Sequence, residues 1–375
     1  MKILLVVSSY LPNLGGLQSV TSALAQALAE QGHDVSVLAQ RYPRDLDSSE
    51  TINGVPVRRL LFLVPRWSQL AQRRFDLFLA GLFYFPVTLF RLISLLRRER
   101  PDVVNLHFVG APASFLLAAH ALKPFKYVVS LHGDDVQGLS RGTAFDRWVF
   151  RQTLRRANAV TACSQDLLNQ ALKVDDTFAG KSQVIVNGIT LPQAKTIQVQ
   201  DALLGVGRLM PKKGFDVLLN ALKRLKERGK AVRLVLIGDG PERQALEICA
   251  EKLALASSVE FRGAQTRDAV YDAMRASKLV VVPSRQEPFG LVALEAMALG
   301  KPLVASRVGG LIDVLDGADA EFVPPDDAAA LADAIEMALE RIELDPNYGT
   351  RNRTRAARFS TDRMLIQYEK TYFSY

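Results

Sequence analysis

Short apolar runs alternate along this chain with longer stretches in which apolar residues return every three or four positions. The runs read as strands buried on both faces, and the longer stretches as helices packed by one face. The first series of runs is Ile3–Val7, Asp34–Ala39, Val103–His107, Tyr127–Leu131, Ala159–Cys163 and Gln183–Val186. A helix over Leu17–Gln31, stopped by Gly32, and another between the runs at 103 and 127 belong to it. The second series is Leu203–Val206, Arg233–Ile237, Val259–Phe261, Leu279–Val282, Leu303–Ala305 and Glu321–Val323, again with helical patterns between. Two strand–helix series predict an α/β protein built from two doubly wound, Rossmann-like parallel sheets. The polar, irregular stretch Thr190–Asp201 reads as the linker, giving domains 1–189 and 190–358. Ligands of such folds bind beyond the carboxyl ends of the strands, here in a deep cleft between the domains.

A chain of 375 residues exceeds the roughly 250–300 at which single cores stop growing, in line with two domains. No run of 18 apolar residues occurs, so no membrane-crossing helix is expected. The apolar part of Met1–Ser9 is too short for a signal peptide and reads as a first strand. The only cysteines, Cys163 and Cys249, fall in different domains, which predicts no disulfide framework and fits a reducing cytoplasm. With four histidines and no cysteine cluster, a zinc centre is not expected.

Charge is unevenly placed. Residues 1–199 hold 22 Lys+Arg against 14 Asp+Glu and residues 200–375 hold 25 of each, so the whole net charge of +8 lies in the first half. That suits an acidic partner. Nucleic acid is a poor candidate, because no recognition motif or aromatic–basic interleaving accompanies the charge. The same half contains Leu77–Phe90, 14 residues without a charge, preceded by Arg73-Arg74 and followed by Arg91, Arg97, Arg98 and Arg100. It is too short to span a bilayer and has two readings. One is a core helix kinked at Pro86; the other is an interfacial helix on an anionic membrane surface.

The densest chemistry lies in Glu287-Pro-Phe-Gly-Leu-Val-Ala-Leu-Glu295. It follows the run Leu279–Val282 and opens a helical pattern over Leu291–Leu299, closed by Gly300 and Pro302. Glu287 therefore falls on a strand-to-helix loop, and Glu295 in the helix, about one and a half turns in. Gly290 permits close approach of a ligand, and the unbonded N–H groups of the helix start suit a phosphate. The carboxylates suit hydroxyls of a sugar or ribose. Phosphate, sugar and ribose on one loop describe a nucleotide-sugar.

Other strand ends carry weaker signals. Gly15-Gly16 precedes the first helix, without the full G-x-G-x-x-G of a dinucleotide site. Gly207-Arg208-Leu-Met-Pro-Lys-Lys213-Gly214 offers Arg208 and Lys213 to a diphosphate. His132-Gly133-Asp134-Asp135 puts a histidine at a strand end, beside two carboxylates that suit the acceptor side. Gly238-Asp239-Gly240-Pro241 is a turn before a helix that Pro241 is suited to start. Phe261-Arg262-Gly263 could flank a base, and Val308-Gly309-Gly310 is a further glycine-bearing helix start. Asp45-Leu46-Asp47 has the form of a metal-binding D-x-D but sits in the polar stretch Tyr42–Asn53 without a third ligand, and reads as a solvated loop.

Together these segments resemble the GT-B-fold retaining glycosyltransferases of family 4, the "glycosyl transferases group 1" type, over nearly the whole chain. The resemblance implies a donor site in which Gly15 and Gly16 meet donor phosphate through their backbone and Arg208 with Lys213 clamps the diphosphate. Gly207, Asp239, Gly240 and Arg262 would line that site. Glu287 holds hydroxyls of the transferred sugar, Phe289, Gly290 and Leu291 present N–H groups, Glu295 holds the ribose, and His132 lies near the sugar. It also implies a C-terminal helix over Phe359–Tyr375 that returns to the first domain. Asn187-Gly188-Ile189-Thr190 departs from the family's pattern, which commonly ends in an acid there.

The implied reaction moves a hexose from a UDP- or GDP-sugar to an acceptor hydroxyl with retained configuration, without a metal or other cofactor. No side chain is an evident nucleophile, which favours front-face attack. A lipid-linked or cell-envelope glycan is the acceptor class the basic, apolar first half suggests, with the protein in the cytoplasm or peripheral on the inner membrane face. Two alternatives stay open: a sugar-nucleotide epimerase of the same fold, and a non-catalytic nucleotide-sugar binding protein.

Overall fold

All twelve apolar runs become strands, and a hairpin adds two more. β1 (Lys2–Val7), β2 (Asp34–Gln40), β3 (Ser49–Ile52), β4 (Val55–Leu60), β5 (Val103–His107), β6 (Tyr127–Leu131), β7 (Ala159–Ala162) and β8 (Ser182–Val184) form one sheet, ordered β3-β4-β2-β1-β5-β6-β7-β8. β9 (Ala202–Val206), β10 (Arg233–Ile237), β11 (Val259–Phe261), β12 (Leu279–Val282), β13 (Leu303–Ser306) and β14 (Ala320–Val323) form a second, ordered β11-β10-β9-β12-β13-β14. This computed structural model describes residues 1–13, 15–66, 69, 73–190 and 195–374. Leu14 of the first glycine loop, residues 191–194 of the expected linker and Tyr375 of the expected last helix lie outside the described residues.

The chain divides into two compact units, Met1–Gly188 with the chain from Thr361 onward, and Ile189–Ser360. Both sheets are parallel except for the antiparallel pair β3–β4. That pair corrects the reading of Tyr42–Asn53 as a loop throughout. Asn53 and Gly54 both sit at positive φ, 50° and 80°, the backbone a two-residue hairpin turn requires. The strands on either side are short and half polar because they form a sheet edge.

β1, β5 and β6 are buried along almost their whole length, as central parallel strands covered on both faces must be. The last helix, Thr361–Phe373, completes this first unit. Tyr372 Oη accepts from Asn105 Nδ2 at 2.7 Å, and Tyr368 Oη donates to Ser130 Oγ at 3.2 Å. Glu369 meets His33 at 2.9 Å, and Met364 Sδ accepts from Gly188 N at 3.2 Å. In the second unit, Leu218, Leu222 and Ile335 close over Leu203, Leu236 and Val281 of the sheet.

The apolar stretch of the first unit is longer than the sequence suggested. One helix runs unbroken over Phe75–Glu99, 25 residues with Pro86 inside it. Pro86 is tolerated because it and Leu82, whose carbonyl loses its partner, both face solvent. Among the described residues this is the one helix long and apolar enough to cross a membrane, which corrects the expectation that none is. Its inner face is nonetheless committed to the unit. Gly81 lies against the backbone of Val64 and Pro65, Phe85 stacks on Phe115 at 4.4 Å, Thr88 donates to Leu61 O at 2.8 Å, and Leu92, Leu95 and Leu96 are buried. Its outer face is apolar and uncovered: Phe75, Leu79, Leu82, Phe83 and Phe90 are all exposed, Phe90 by 70%.

Candidate functional site

The loops that leave β9, β10, β12 and β13 form a rim at the carboxyl end of the second sheet. β9 leads into Gly207–Gly214 and β12 into Pro283–Gly290, and neighbouring strands bring the two loops into contact. Gly214 makes that contact possible. It sits at φ +66°, and a Cβ there would lie 2.0 Å from Pro283 O. Arg285 stitches the loops together. Its guanidinium takes Asp216 at 2.8 and 2.6 Å, Pro211 O at 2.5 Å and Asp326 at 2.5 Å. Its own N–H donates to Lys212 O at 2.8 Å. The carboxylates hold the Arg285 guanidinium firmly charged.

Between the stitched loops, Lys213 Nζ meets Glu287 Oε2 at 2.5 Å, and Ser284 Oγ donates to the same oxygen at 3.4 Å. Both side chains are largely buried, at 19% and 12% exposure. The main-chain oxygen of Glu287 accepts from Gly310 N at 3.0 Å, which ties in the loop after β13. The helix Leu291–Ala298 begins beside them, with Gly290 as its N-cap. The N–H groups of Gly290 and Leu291 have no acceptor among the described residues, as expected of a helix start. Phe289 is buried, its ring set edge-on to Phe359 at 6.3 Å, so only its backbone can serve a ligand.

Glu295 is the fifth residue of that helix, a little over one turn in rather than one and a half. Tyr271 Oη donates to its Oε1 at 3.3 Å, and Arg267 Nη2 reaches the same oxygen at 3.4 Å. Burial raises the Glu295 carboxyl above its usual range despite Arg267. Arg208 is exposed on the loop after β9 and makes no ion pair among the described residues. The rim thus offers two cations, two unbonded N–H groups and two carboxylates, the pieces needed to hold a diphosphate and flanking hydroxyls.

Other expected donor residues are placed less directly. Gly207 N is spent on Ile237 O at 3.0 Å, and Gly240 N on the Asp239 carboxylate at 2.7 Å. The helix after this turn starts at Arg243, two residues beyond Pro241. The Arg262 guanidinium is bidentate to Glu260, at 2.8 and 3.1 Å, and lies along the outer strand β11. The structure does not gather it with the rim.

The first unit carries a second group of residues at the ends of its central strands. Gly15 and Gly16 open the helix Gly16–Glu30 and are exposed. Asp134 is exposed, but Asp135 is buried and accepts from the N–H groups of Gly133 at 2.7 Å, His132 at 3.2 Å and Val109 at 3.3 Å. Asp135 therefore shapes the loop, and its carboxylate is not turned out toward a ligand. Burial pushes its carboxyl up to about 6, against those three donors. His132 is half-buried, and burial pushes its imidazole down to about 4. As pH falls from about 6.5 to about 4, the unfolded chain takes up a proton that folded His132 refuses, so stability falls across that window. Asp45 and Asp47 are exposed, and the Asp47 carbonyl accepts from the buried Arg59 at 3.2 Å.

Sequence reasoning missed Arg285, Arg267, Tyr271 and His107. Arg267 and Tyr271 carry a faint signal, an i, i+4 pair on one helix face. Arg285 stands two residues before Glu287, just outside the stretch Glu287–Glu295, and only the fold reveals its partners.

The description "Glycosyltransferase Family 4" matches residues 14–192, and "Glycosyl transferases group 1" matches residues 192–355. An uncharacterized glycosyltransferase of Methanocaldococcus jannaschii is 31% identical over 342 residues, covering 84% of this chain and 83% of its own. Among solved structures, sucrose-phosphate synthase from Thermosynechococcus elongatus superposes with a TM-score of 0.81 at 22% identity, covering 99% of this chain and 98% of its own. Anabaena HepE in complex with UDP superposes with a TM-score of 0.79 at 22% identity over the whole of both chains, and it has also been solved with UDP-glucose.

Proposed function

Since the chain belongs to the family 4, group 1 glycosyltransferases and has their GT-B fold, we propose that the rim of its second unit holds a UDP- or GDP-sugar, whose hexose is passed to an acceptor hydroxyl with retained configuration. The observation that carries this reading is the Lys213–Glu287 pair beside the unbonded helix start, with Glu295 one turn along. Arg208 and Lys213 neutralise the diphosphate, and the N–H groups of Gly290 and Leu291 bond its oxygens. Glu287 then exchanges its lysine partner for hydroxyls of the sugar, while Glu295 accepts from the ribose. HepE, solved with UDP and with UDP-glucose, supports a donor of this class.

In the step itself the acceptor oxygen attacks the anomeric carbon from the face that the phosphate leaves. The carbon–phosphate-oxygen bond breaks, and the departing phosphate oxygen takes the acceptor proton. Charge grows on the diphosphate, where the two cations and the helix start stabilise it, so no metal is required. A thermal-shift series with UDP, GDP, ADP and their sugar conjugates, run in EDTA, tests this. One nucleotide family should stabilise the protein, by about 2.7 kcal/mol at a hundredfold excess over Kd, and Glu295→Ala should abolish the shift. No shift with any of them, with or without magnesium, contradicts the donor site. Donor conversion without any acceptor would mark an epimerase, and binding without turnover a binding protein.

The acceptor in this reading is a lipid-linked or cell-envelope glycan, met by the first unit at the cytoplasmic face of a membrane. The outer stripe of the helix Phe75–Glu99 supports this. Its exposed Phe75, Leu79, Leu82, Phe83 and Phe90 follow one helix face, with arginines at both ends. Arg74 bonds Asp76 and Arg98 approaches Glu99, whereas Arg73, Arg91, Arg97 and Arg100 make no ion pair among the described residues. Apolar groups at the acyl boundary with arginines on anionic headgroups are the pattern of a helix lying in the interface. The protein should float with phosphatidylglycerol vesicles at low salt and not with neutral ones. Phe83→Glu with Phe90→Glu should weaken binding by at least about tenfold, as expected for losing two buried aromatic side chains. No flotation of the unaltered chain would overturn the interfacial reading.

A further inference from the structure

His107 ends β5 and His132 directly follows the adjacent strand β6, and their rings stack with centroids 5.2 Å apart and planes 27° apart. His107 Nδ1 lies 3.0 Å from His132 Nε2. One nitrogen donates and the other accepts, and the surroundings decide which. His107 is wholly buried, and its Nε2 has no partner. If His132 donated, neutral His107 would carry its proton on Nε2, leaving an unmet N–H in the core. If His107 donates, the orphan is a bare lone pair, the more tolerable of the two.

We propose that His107 is a positioning residue that donates from Nδ1 to His132 Nε2, fixing His132 as the neutral Nδ1–H tautomer, a hydrogen-bond donor toward a substrate oxygen and not a base. The only ring lone pair of neutral His132 is then occupied by His107, so it cannot collect the acceptor proton. Its Nδ1 has no partner among the described residues and is not among the buried orphans. The loop that carries it is pinned, since the N–H groups of His132 and Gly133 both end on the Asp135 carboxylate. On the other strand, Phe108 follows His107 at φ +75°, a left-handed conformation that a bulky residue keeps only where its surroundings impose it. Tyr368 closes the pair from the C-terminal helix, its ring 5.8 Å from that of His107.

The titratable groups against the pair are Asp135, whose carboxylate accepts from His132 N, Cys163, whose Sγ is 4.0 Å from His132 O, and Tyr368. Burial keeps both imidazoles neutral, His132 down at about 4 and His107 well below its usual range, and it raises the Tyr368 hydroxyl. Asp135, at about 6, is the neighbour to watch, because its titration overlaps the acid limb of any activity profile.

The catalytic consequence rests on the transferase reading above; the tautomer does not. The chain has four histidines, so ¹⁵N-histidine labelling with His132→Gln as the assignment control reads the ring directly. At pH 7 the His132 ring should show a protonated Nδ1 and an unprotonated Nε2. The opposite tautomer overturns the proposal whether or not transfer has been detected. In activity, His107→Leu should lower kcat by about 10–100-fold, as losing a supporting partner does, with KM for the donor little changed. It should also raise the acid limb by about one pH unit, because the freed Nε2 can then be protonated. His107→Asn keeps an N–H near the Nδ1 position and should recover most of the activity and the original limb. Equal losses in both variants with His132 still in its first tautomer would overturn the positioning role. Should the leucine variant fail to fold, the spectrum of the unaltered protein and the asparagine variant decide.

Discussion

Glu287→Ala is expected to lower kcat by about a thousandfold, the upper range for removing one group that holds the reacting centre, while leaving nucleotide binding in place. The carboxylate is held at the end of β12 by Lys213 Nζ at 2.5 Å and by Ser284 Oγ. It is only 12% exposed, and its main-chain oxygen is fixed by Gly310 N, so its position is set before any ligand arrives. In the proposed reading it grips the sugar and not the nucleotide. The thermal shift given by UDP or GDP alone should therefore survive in this variant, whereas it disappears in Glu295→Ala. That contrast separates a lost reacting-centre contact from a collapsed site. Near-normal turnover by Glu287→Ala would remove the central residue of the mechanism.

The largest stability effect is expected at Gly214. Alanine there would place Cβ 2.0 Å from Pro283 O, in a backbone held at φ +66°. Left-handed strain and a forced shift of the Pro283 loop together should cost at least about 3 kcal/mol. Chemical denaturation would measure it. Gly32→Ala supplies the reference, because Gly32 has φ +85° with no atom within 4 Å of a built Cβ and should lose only about 1 kcal/mol. The Gly214 variant should also lose nucleotide binding, since moving the loops apart carries Arg208 and Lys213 away from the helix start at Gly290. Equal stability of the two variants would mean that the contact between the loops is not tight.

Five strands, Val103–His107, Tyr127–Leu131, Arg233–Ile237, Val259–Phe261 and Leu279–Val282, have the bounds their apolar runs imply. Most of these strands are readable because covering both faces of a parallel sheet keeps their runs largely apolar. The hairpin β3–β4 was hidden because an edge strand needs few apolar residues, although Asn53-Gly54 is a strong turn signal. The helix Phe75–Glu99 outruns the uncharged stretch Leu77–Phe90 because charged residues at its ends break the apolar run without ending the helix. The rim residues Lys213, Glu287 and Glu295 were legible as motifs. Arg285 and His107 were not, because each works through a partner 69 and 25 positions away in the chain, Asp216 and His132 respectively. Such pairings belong to the topology and leave no local pattern.

The return of Thr361–Phe373 to the first unit bears on the order in which this protein can be made. Asn105, Ser130 and Gly188 receive their partners Tyr372, Tyr368 and Met364 only after the whole of Ile189–Ser360 has left the ribosome. Domains commonly mature in the order they are synthesised. Here the second unit is complete as a sequence before the first, and the earlier-made sheet must wait with its polar interior uncapped. A chain truncated after Ser360 would therefore hold a complete second unit and an unfinished first one.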